Sequence, residues 1–162
     1  MKHIKDNLLM YLIFVIVLAA DQITKAAARH FLADGHIAEI MGDFLGFELS
    51  FNPGAAFGTM QGCTPLLLLI AVVAIFIIVR AMRKTKGSKL VDTAFALLLS
   101  GAVGNSIDRA LFMKVGVTDF IRVAAGGHVF PNFNIADSAL TIGVILLFIG
   151  VMAVEKREGK TR

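Results

Sequence analysis

Two aspartates have the residue type and the setting for acid–base chemistry. The segment Val115–Val123 alternates with a period of two, which puts Asp119 on the same strand face as the apolar side chains of that segment. A carboxylate on an apolar face must find a partner or keep its proton. Asp137 follows Asn134 by three residues and can be explained as the N3 residue of a helix that Asn134 caps. That explanation covers Asp137 alone and leaves Asp119 without a structural role.

Two carboxylates that meet in a cleft of low dielectric constant cannot both ionise easily, so they share one proton. The ionised carboxylate can then activate a water molecule while the protonated one polarises a carbonyl group. Asp119 and Asp137 therefore predict hydrolysis of a peptide bond without a metal, another cofactor or a covalent intermediate. Other chemistries fit less well, because the histidines are dispersed, the serines lack a G-x-S-x-G motif, and Cys63 has no activating signature beside it.

These residues belong to a chain of 162 residues that is 57% apolar and only 17% charged, with a mean hydropathy of +0.77. That composition excludes both a soluble globular domain and a disordered chain. Four segments are long enough to cross a bilayer as helices, for which about 20 residues are needed. We predict an all-α membrane protein with a small β element, forming a single domain over 1–162. Its helices are expected at about 8–28, 65–82, 90–112 and 136–154, and its outer segments at 29–64 and 113–135.

The basic residues predict the orientation of the chain in the membrane. Eleven of the sixteen lysines and arginines lie near the amino terminus, around the loop at 83–89 and in the carboxyl tail. By the positive-inside rule both termini are cytoplasmic, and the outer segments lie on the other side of the membrane. Aromatic residues do not interleave with these clusters, so no nucleic-acid partner is expected.

The two outer segments have the signals of a small sheet. Ile37–Phe51 ends at the turn sequence Asn52-Pro53-Gly54. The alternating segment around Asp119 is followed by Ala125-Gly126-Gly127, which is typical of a hairpin turn, and by an apolar return at Val129-Phe130. We therefore expect a small β-sheet on the outer membrane surface.

Ionisable residues inside the predicted spans are costly to insert and mark candidate functional positions. Asp21 and Lys25 are four residues apart at the outer end of the first helix, where they form either a structural salt bridge or the wall of a site. Asn105 and Arg109 have the same spacing in the third helix, and Gly101 lies one turn earlier.

Structural roles can also explain several residues in the third helix. Gly101 and Gly104 favour close contact between helices. Arg109 either holds nearby carboxylates in place or balances charge, and Asp108 is explained as a structural counter-ion. The polar and charged residues of the spans fall at the outer ends of their helices, so any polar site is expected near the outer leaflet; they are Asp21, Lys25, Asn105, Asp108, Arg109 and Asp137.

Five motifs follow one another along the whole chain. They are Asp21-Gln22-Ile23-Thr24-Lys25, Asn52-Pro53-Gly54-Ala55-Ala56-Phe57-Gly58, Gly101-Ala102-Val103-Gly104-Asn105-Ser106-Ile107-Asp108-Arg109, Val117-Thr118-Asp119-Phe120 and Phe133-Asn134-Ile135-Ala136-Asp137-Ser138. Together they resemble the motifs of lipoprotein signal peptidase, or signal peptidase II, of bacterial membranes. The sequence departs from that family in having no Trp before the last motif, where Phe130 is the available interfacial aromatic residue.

The resemblance implies an aspartyl peptidase with four transmembrane helices and an extracytoplasmic β-cradle, in the bacterial cytoplasmic (inner) membrane. Its implied substrates are diacylglyceryl-prolipoproteins, cut just before the lipidated cysteine, and we expect a monomer that contacts membrane lipid. Asp119 and Asp137 are the implied catalytic pair. The implied substrate-binding or supporting positions are Asp21, Lys25, Asn52, Gly54, Gly101, Asn105, Arg109, Asn134 and Ala136.

Two other classes of protein remain as alternatives. In a small transporter or channel subunit, Asp21, Lys25, Asp119 and Asp137 would form a proton or ion path, although the charges stop at the outer end of the spans. In a non-catalytic membrane adaptor, Asp119 would have no role.

Overall fold

Four helices form the frame of the protein. The structure, a computed structural model, describes residues 2–54, 59–84 and 88–159, so parts of the predicted motif at 52–58 and of the basic loop and tail lie outside the described residues. Each helix contains a segment long and apolar enough to cross a membrane. The helices are α1 (Lys2–Phe31), α2 (Thr64–Lys84), α3 (Lys89–Leu111) and α4 (Ile135–Gly159). The carboxyl ends of α1 and α3 and the amino ends of α2 and α4 agree with the sequence prediction to within a few residues, while α1 and α4 extend beyond their apolar segments.

Helix α3 is the central helix of the bundle. In its apolar segment 56% of the residues are buried, against 22% in α4, 11% in α1 and 6% in α2. Small residues make this position possible: a Cβ atom on Gly101 would lie 2.5 Å from the carbonyl oxygen of Ala136 in α4. A Cβ atom on Gly104 would lie 2.6 Å from Oδ2 of Asp21 in α1. The two glycines therefore allow α1 and α4 to approach α3 closely, as the sequence predicted.

A four-stranded antiparallel sheet accompanies the helices. Its strands lie in the order β1 (Ala38–Met41), β2 (Leu45–Asn52), β3 (Val117–Ala125) and β4 (His128–Val129). Gly126 and Gly127 join β3 to β4 with φ values of +59° and +79°. Two successive positive φ angles are those of a two-residue hairpin turn that glycine adopts without strain, so the predicted hairpin is confirmed.

The beginning of β3 differs from the prediction in two ways. Gly116 has a φ of +92°, and a Cβ atom there would collide with the carbonyl oxygen of Asn52 at the end of β2. The strand therefore starts after this glycine, and Val115 is exposed outside it rather than part of the apolar strand face. Thr118 and Phe120 are also buried, so both faces of β3 are covered around Asp119.

Two sets of contacts fix the sheet to the helices. Phe120 packs with Ala28 near the carboxyl end of α1 and with Leu32 just after that helix. The segment before α4 pairs with β3 through Phe133, whose carbonyl oxygen accepts the N–H of Ile121 at 2.8 Å and whose N–H donates to the Ile121 carbonyl at 3.1 Å. The start of α4 is thereby held against the middle of β3.

Candidate active site

The pairing of Phe133 with β3 brings Asp119 and Asp137 to the two sides of Asn134. The side-chain amide of Asn134 donates to Oδ1 of Asp119 at 2.7 Å. The backbone N–H of Asn134 donates to Oδ2 of Asp137 at 3.2 Å. One asparagine thus contacts both carboxylates, although the two aspartates come from different elements.

Asn134 also caps α4, as its spacing from Asp137 predicted. The backbone N–H of Asp137 donates to Oδ1 of Asn134 at 2.8 Å, which makes the reciprocal pair of a capping box. Asn134 is fully buried. The cap therefore explains why Asp137 lies at this point of the chain, and it leaves Oδ1 of Asp137 for other partners.

Asn105 of α3 supplies one such partner. Its Nδ2 group donates to Oδ1 of Asp137 at 2.8 Å. Its Oδ1 atom accepts hydrogen bonds from Nζ of Lys25 at 2.9 Å and from Nδ2 of Asn134 at 3.2 Å. Amide groups of Asn105 and Asn134 therefore donate to the two carboxylates.

A cavity of about 880 Å³ opens beside the two carboxylates. Apolar side chains from α2, α3 and α4 form much of its wall. Five of the predicted site residues also line it, and they are Asn52, Asn105, Arg109, Asp119 and Asp137. The structure therefore brings both aspartates to one cavity that is large enough for a peptide segment.

The pKa of Asp119 is raised from its ordinary value to about 7. Burial is the main cause, because the side chain lies away from water, and the nearby negative charge of Asp137 acts in the same direction. Hydrogen bonds from Asn134 and Asn52 and the positive charge of Lys25 lower the pKa in part. Asp119 can therefore hold a proton under conditions in which ordinary aspartates are ionised.

Arg109 and Gly54 meet at the rim of the cavity. Nη2 of Arg109 donates to the carbonyl oxygen of Gly54 at 3.1 Å, and the N–H of Gly54 donates to Oδ1 of Asn52 at 3.0 Å. A Cβ atom on Gly54 would collide with the Thr59 carbonyl oxygen. These contacts hold the turn after β2 beside the two aspartates.

Two further predicted residues lie behind the site. Gly101 allows the close contact of α3 with α4, and the backbone N–H of Ala136 donates to Oδ1 of Asp21 at 2.9 Å. These contacts make Gly101 and Ala136 packing and backbone positions rather than parts of the cavity wall.

A second group of buried charges lies between α1 and α3. Nζ of Lys25 is 2.9 Å from Oδ2 of Asp21 and 3.7 Å from Oδ2 of Asp108, and all three side chains are fully buried. Asp108 also accepts the backbone N–H of Thr118 at 2.8 Å. The salt bridge expected at the spacing of Asp21 and Lys25 is confirmed, and Asp108 ties the start of β3 to α3.

Two residues of this group, Arg29 and Thr118, were not among the predicted site residues. Nη1 of Arg29 donates to Oγ1 of Thr118 at 2.7 Å and lies 3.7 Å from Oδ1 of Asp108. The spacing from Asp21 to Lys25 and on to Arg29 repeats every four residues, which places all three on one face of α1 and could have indicated Arg29. No sequence pattern could have indicated the contact between Arg29 and Thr118, since the two residues are far apart in sequence.

The remaining candidates for chemistry lie apart from the cavity. Cys63 is exposed in the turn before α2. Within residues 2–54, 59–84 and 88–159, no three His, Cys, Asp or Glu side chains are grouped so that they could bind a metal ion.

The four apolar helices are those of a multi-pass membrane protein. Two solved structures, both titled as bacterial membrane enzymes determined by the in meso method, are similar to this chain. The structure titled at 2.3 Å has a TM-score of 0.82 at 36% identity, with 89% of this chain and 87% of that chain covered. The structure titled at 1.9 Å has a TM-score of 0.78 at 37% identity, with 88% of this chain and 91% of that chain covered.

Sequence comparisons assign the family. The family model described as Signal peptidase (SPase) II matches residues 13–153. A lipoprotein signal peptidase of Listeria monocytogenes serotype 4b (strain CLIP80459) is 38% identical over 148 residues, with 91% of this chain and 95% of the relative covered. The lipoprotein signal peptidase of Bacillus subtilis (strain 168) is 38% identical over 146 residues, with 90% and 94% covered. The chain therefore belongs to the signal peptidase II family, whose members are membrane proteases that process lipoprotein signal peptides. This membership sets aside the transporter and adaptor alternatives.

Proposed function

We propose that this protein is an aspartyl endopeptidase that cuts diacylglyceryl-modified prolipoproteins just before the lipidated cysteine, with Asp119 and Asp137 as its catalytic pair. The observation that carries the proposal is that both carboxylates line one cavity while a single residue, Asn134, hydrogen-bonds to each of them. The raised pKa of Asp119 supports a shared proton at neutral pH.

In the ground state, Asp119 holds the shared proton and Asp137 is ionised. Asp137 accepts hydrogen bonds from Nδ2 of Asn105 and from the N–H of Asn134, and these two donors hold its carboxylate in place beside the cavity. It also lies in the first turn of α4, where the helix dipole favours negative charge. Asp119 accepts hydrogen bonds from Asn134 and Asn52, but it lies on a strand without a helix dipole, and almost none of its side chain is exposed.

The first step is attack by water on the scissile carbonyl carbon. Asp137 accepts a proton from the water as its oxygen bonds to the carbon, and Asp119 gives its proton to the carbonyl oxygen. The result is a neutral gem-diol, with Asp119 ionised and Asp137 protonated. Charge develops only within the buried pair, which avoids an isolated oxyanion in the cavity.

The second step breaks the C–N bond. Asp137 donates its proton to the leaving nitrogen, and a gem-diol hydroxyl returns a proton to Asp119 as the carbonyl re-forms. The products are the carboxyl end of the signal peptide and the free amino group of the lipidated cysteine. The pair returns to its starting state with one proton, so neither a cofactor nor a covalent intermediate is needed.

The walls of the cavity favour a lipidated substrate. Ala71 and Ala74 of α2 line the cavity, as do Leu140 and Thr141 of α4. Large apolar side chains such as Phe148 are exposed further along α4, on a surface suited to the bilayer. A peptide can therefore lie beside the aspartates while its attached acyl chains remain in contact with hydrocarbon.

The proposal includes a location in the bacterial cytoplasmic membrane, with both termini in the cytoplasm and the site near the outer leaflet. The four apolar helices and the clusters of basic residues support it. Reporter fusions at residue 86 and after residue 162 are expected to behave as cytoplasmic, and a fusion at residue 36 as external. An external signal from the carboxyl tail would contradict this topology.

The experiment that tests the function uses purified protein and one prolipoprotein prepared with and without its diacylglyceryl group. We expect cleavage of the modified form, with the new amino terminus at the lipidated cysteine by mass spectrometry, and little cleavage of the unmodified form. The Asp137→Asn variant is the matched control for contaminating proteases. Equal rates on both substrates, or a cut elsewhere, would contradict the proposed specificity.

A further inference from the structure

Lys25 is completely buried, yet it is one hydrogen-bonded residue away from the proposed catalytic pair. Its Nζ atom lies 2.9 Å from Oδ1 of Asn105, and Nδ2 of the same asparagine lies 2.8 Å from Oδ1 of Asp137. Because none of the Lys25 side chain is exposed, it cannot contact a substrate in the cavity. Any influence of Lys25 on the reaction must pass through its neighbours.

The chemistry of an ammonium group fixes the orientation of the Asn105 amide. An ammonium only donates hydrogen bonds, so the atom that faces it must be the amide oxygen of Asn105. Nδ2 of Asn134 donates to the same oxygen at 3.2 Å, which gives the same orientation a second donor. The NH₂ group of Asn105 is therefore directed to Asp137. A flipped amide would place an oxygen against the Asp137 carboxylate and an NH₂ group against Lys25.

We propose that Lys25 is a positioning residue for the reaction, which holds the Asn105 amide so that it donates to Asp137 and keeps the general base oriented. The inference rests on the proposed function of Asp137. It assigns Lys25 a role distinct from its salt bridge with Asp21, since that ion pair by itself lies within α1. The Lys25 ammonium donates a hydrogen bond to the Asn105 amide, and the Asn105 amide in turn donates one to the Asp137 carboxylate.

Two substitutions of similar length separate this role from a purely structural one. Lys25→Met removes the donor and the charge, whereas Lys25→Gln removes the charge and retains an N–H donor for Asn105. Both are made in an Asp21→Asn background, so that no carboxylate at position 21 loses its cation. The asparagine introduced at that position still offers an oxygen to the N–H of Ala136. Thermal unfolding of each variant gives the folded fraction by which its rate is normalised.

The expected result is a split between kcat and KM. Relative to the Asp21→Asn parent, Lys25→Met should lower kcat by about 10-fold to 100-fold, a range typical of lost outer-shell hydrogen bonds, and leave KM unchanged. Lys25→Gln should recover much of that loss. Equal normalised rates for the Met and Gln variants would overturn the proposal, because a structural or purely electrostatic role does not depend on an N–H donor.

A second measurement asks whether Asn105 transmits the effect. Asn105→Ala is combined with Lys25→Met in the same background, and the loss in kcat from Lys25→Met should largely disappear once Asn105 is absent. The same loss with and without Asn105 would overturn the proposal. Failure of the Asp21→Asn parent and the unsubstituted protein to cleave a diacylglyceryl-prolipoprotein would instead contradict the proposed function, so the two failures are distinguishable.

Discussion

Asp119 and Asp137 are held by amide groups beside a cavity, whereas Asp21 and Asp108 are held by cations inside the helix bundle. The amide donors come from Asn134 and Asn105. The cations are Lys25, at 2.9 Å and 3.7 Å from the two bundle carboxylates, and Arg29, at 3.7 Å from Asp108. The two groups are close in space, since Lys25 hydrogen-bonds to Asn105, but they differ in what balances the negative charge.

The difference shows how one buried region can contain both structural and reactive carboxylates. In the cation-held pair, the salt bridges to Lys25 and Arg29 compensate the buried negative charges. Amide donors orient a carboxylate without cancelling its charge, so a pair held by amides can share and transfer a proton. Under the proposed function, the amide-held pair carries out catalysis and the cation-held pair stabilises the fold.

The largest expected effect comes from breaking the amide-held pair. Asp119→Asn and Asp137→Asn should each abolish detectable turnover, because a shared proton needs both carboxyl groups. The double variant should be no worse than either single variant, since the two residues act as a unit. Single-turnover cleavage of a diacylglyceryl-prolipoprotein in detergent measures all three. Losses that multiply in the double variant would show that the aspartates act independently.

The pH dependence sharpens the comparison, because the pKa of Asp119 in the amide-held pair is raised to about 7. If the proton on Asp119 is needed, kcat should fall about tenfold per pH unit above pH 7, as the protonated fraction falls. The measurement is single-turnover cleavage across a pH series with thermal unfolding alongside. A rate that stays level well above pH 7 would contradict the role of Asp119 as the acid.

The same pKa predicts a change in stability. Between the ordinary pKa near 3.8 and the folded-state value of about 7, the folded protein binds more protons at Asp119 than the unfolded chain does. The contribution of Asp119 to the free energy of unfolding should therefore decrease as pH rises through this window. Asp119→Asn lacks this titration, so its Tm should rise relative to the parent over the same window. A constant Tm difference would contradict the raised pKa.

The cation-held pair depends on close packing, which Gly104→Ala tests. The added Cβ atom would lie 2.6 Å from Oδ2 of Asp21, so one of the two must shift. We expect a loss of about 1–3 kcal/mol in the free energy of unfolding, typical of overpacking, with activity per folded molecule largely kept. Denaturant unfolding measures this loss of stability. The matched control is Ser106→Ala, two residues further along α3. An unchanged stability would mean that α1 and α3 are less tightly packed there.

The smallest effect is expected at Cys63, which is exposed in the turn before α2 and belongs to neither group. Cys63→Ala should leave the cleavage rate within a few-fold of the parent, because no activating signature lies beside the thiol in the sequence. Complete loss of cleavage in a folded variant would replace the aspartyl mechanism with a cysteine nucleophile.

Local sequence patterns predicted much of the fold. The apolar segments indicated the four helices, Gly126-Gly127 indicated the β3–β4 hairpin, and the spacing of Asn134 and Asp137 indicated the cap of α4. Each of these features depends on residues that are close in sequence, where propensity and periodicity act directly.

Contacts between distant segments could not be read from those patterns. The hydrogen bonds of Thr118 with Asp108 and Arg29 join three elements, and the burial of both faces of β3 follows from packing against α1 and α3. Periodicity describes one element at a time, so it could place Asp119 on a strand but not identify Asn134 as its donor. The family resemblance implied Asn134 as a supporting residue without indicating which carboxylates it contacts.

The most direct test of the central claim compares matched Asp-to-Asn substitutions in the two groups. Asp119→Asn and Asp108→Asn change the same atoms at two fully or nearly fully buried carboxylates. Single-turnover cleavage of a diacylglyceryl-prolipoprotein and thermal unfolding are measured on both variants. We predict that Asp119→Asn loses turnover without losing Tm, and that Asp108→Asn loses Tm but keeps its turnover per folded molecule. Retained turnover in Asp119→Asn, or abolished turnover in folded Asp108→Asn, would contradict the assignment of catalysis to the amide-held pair.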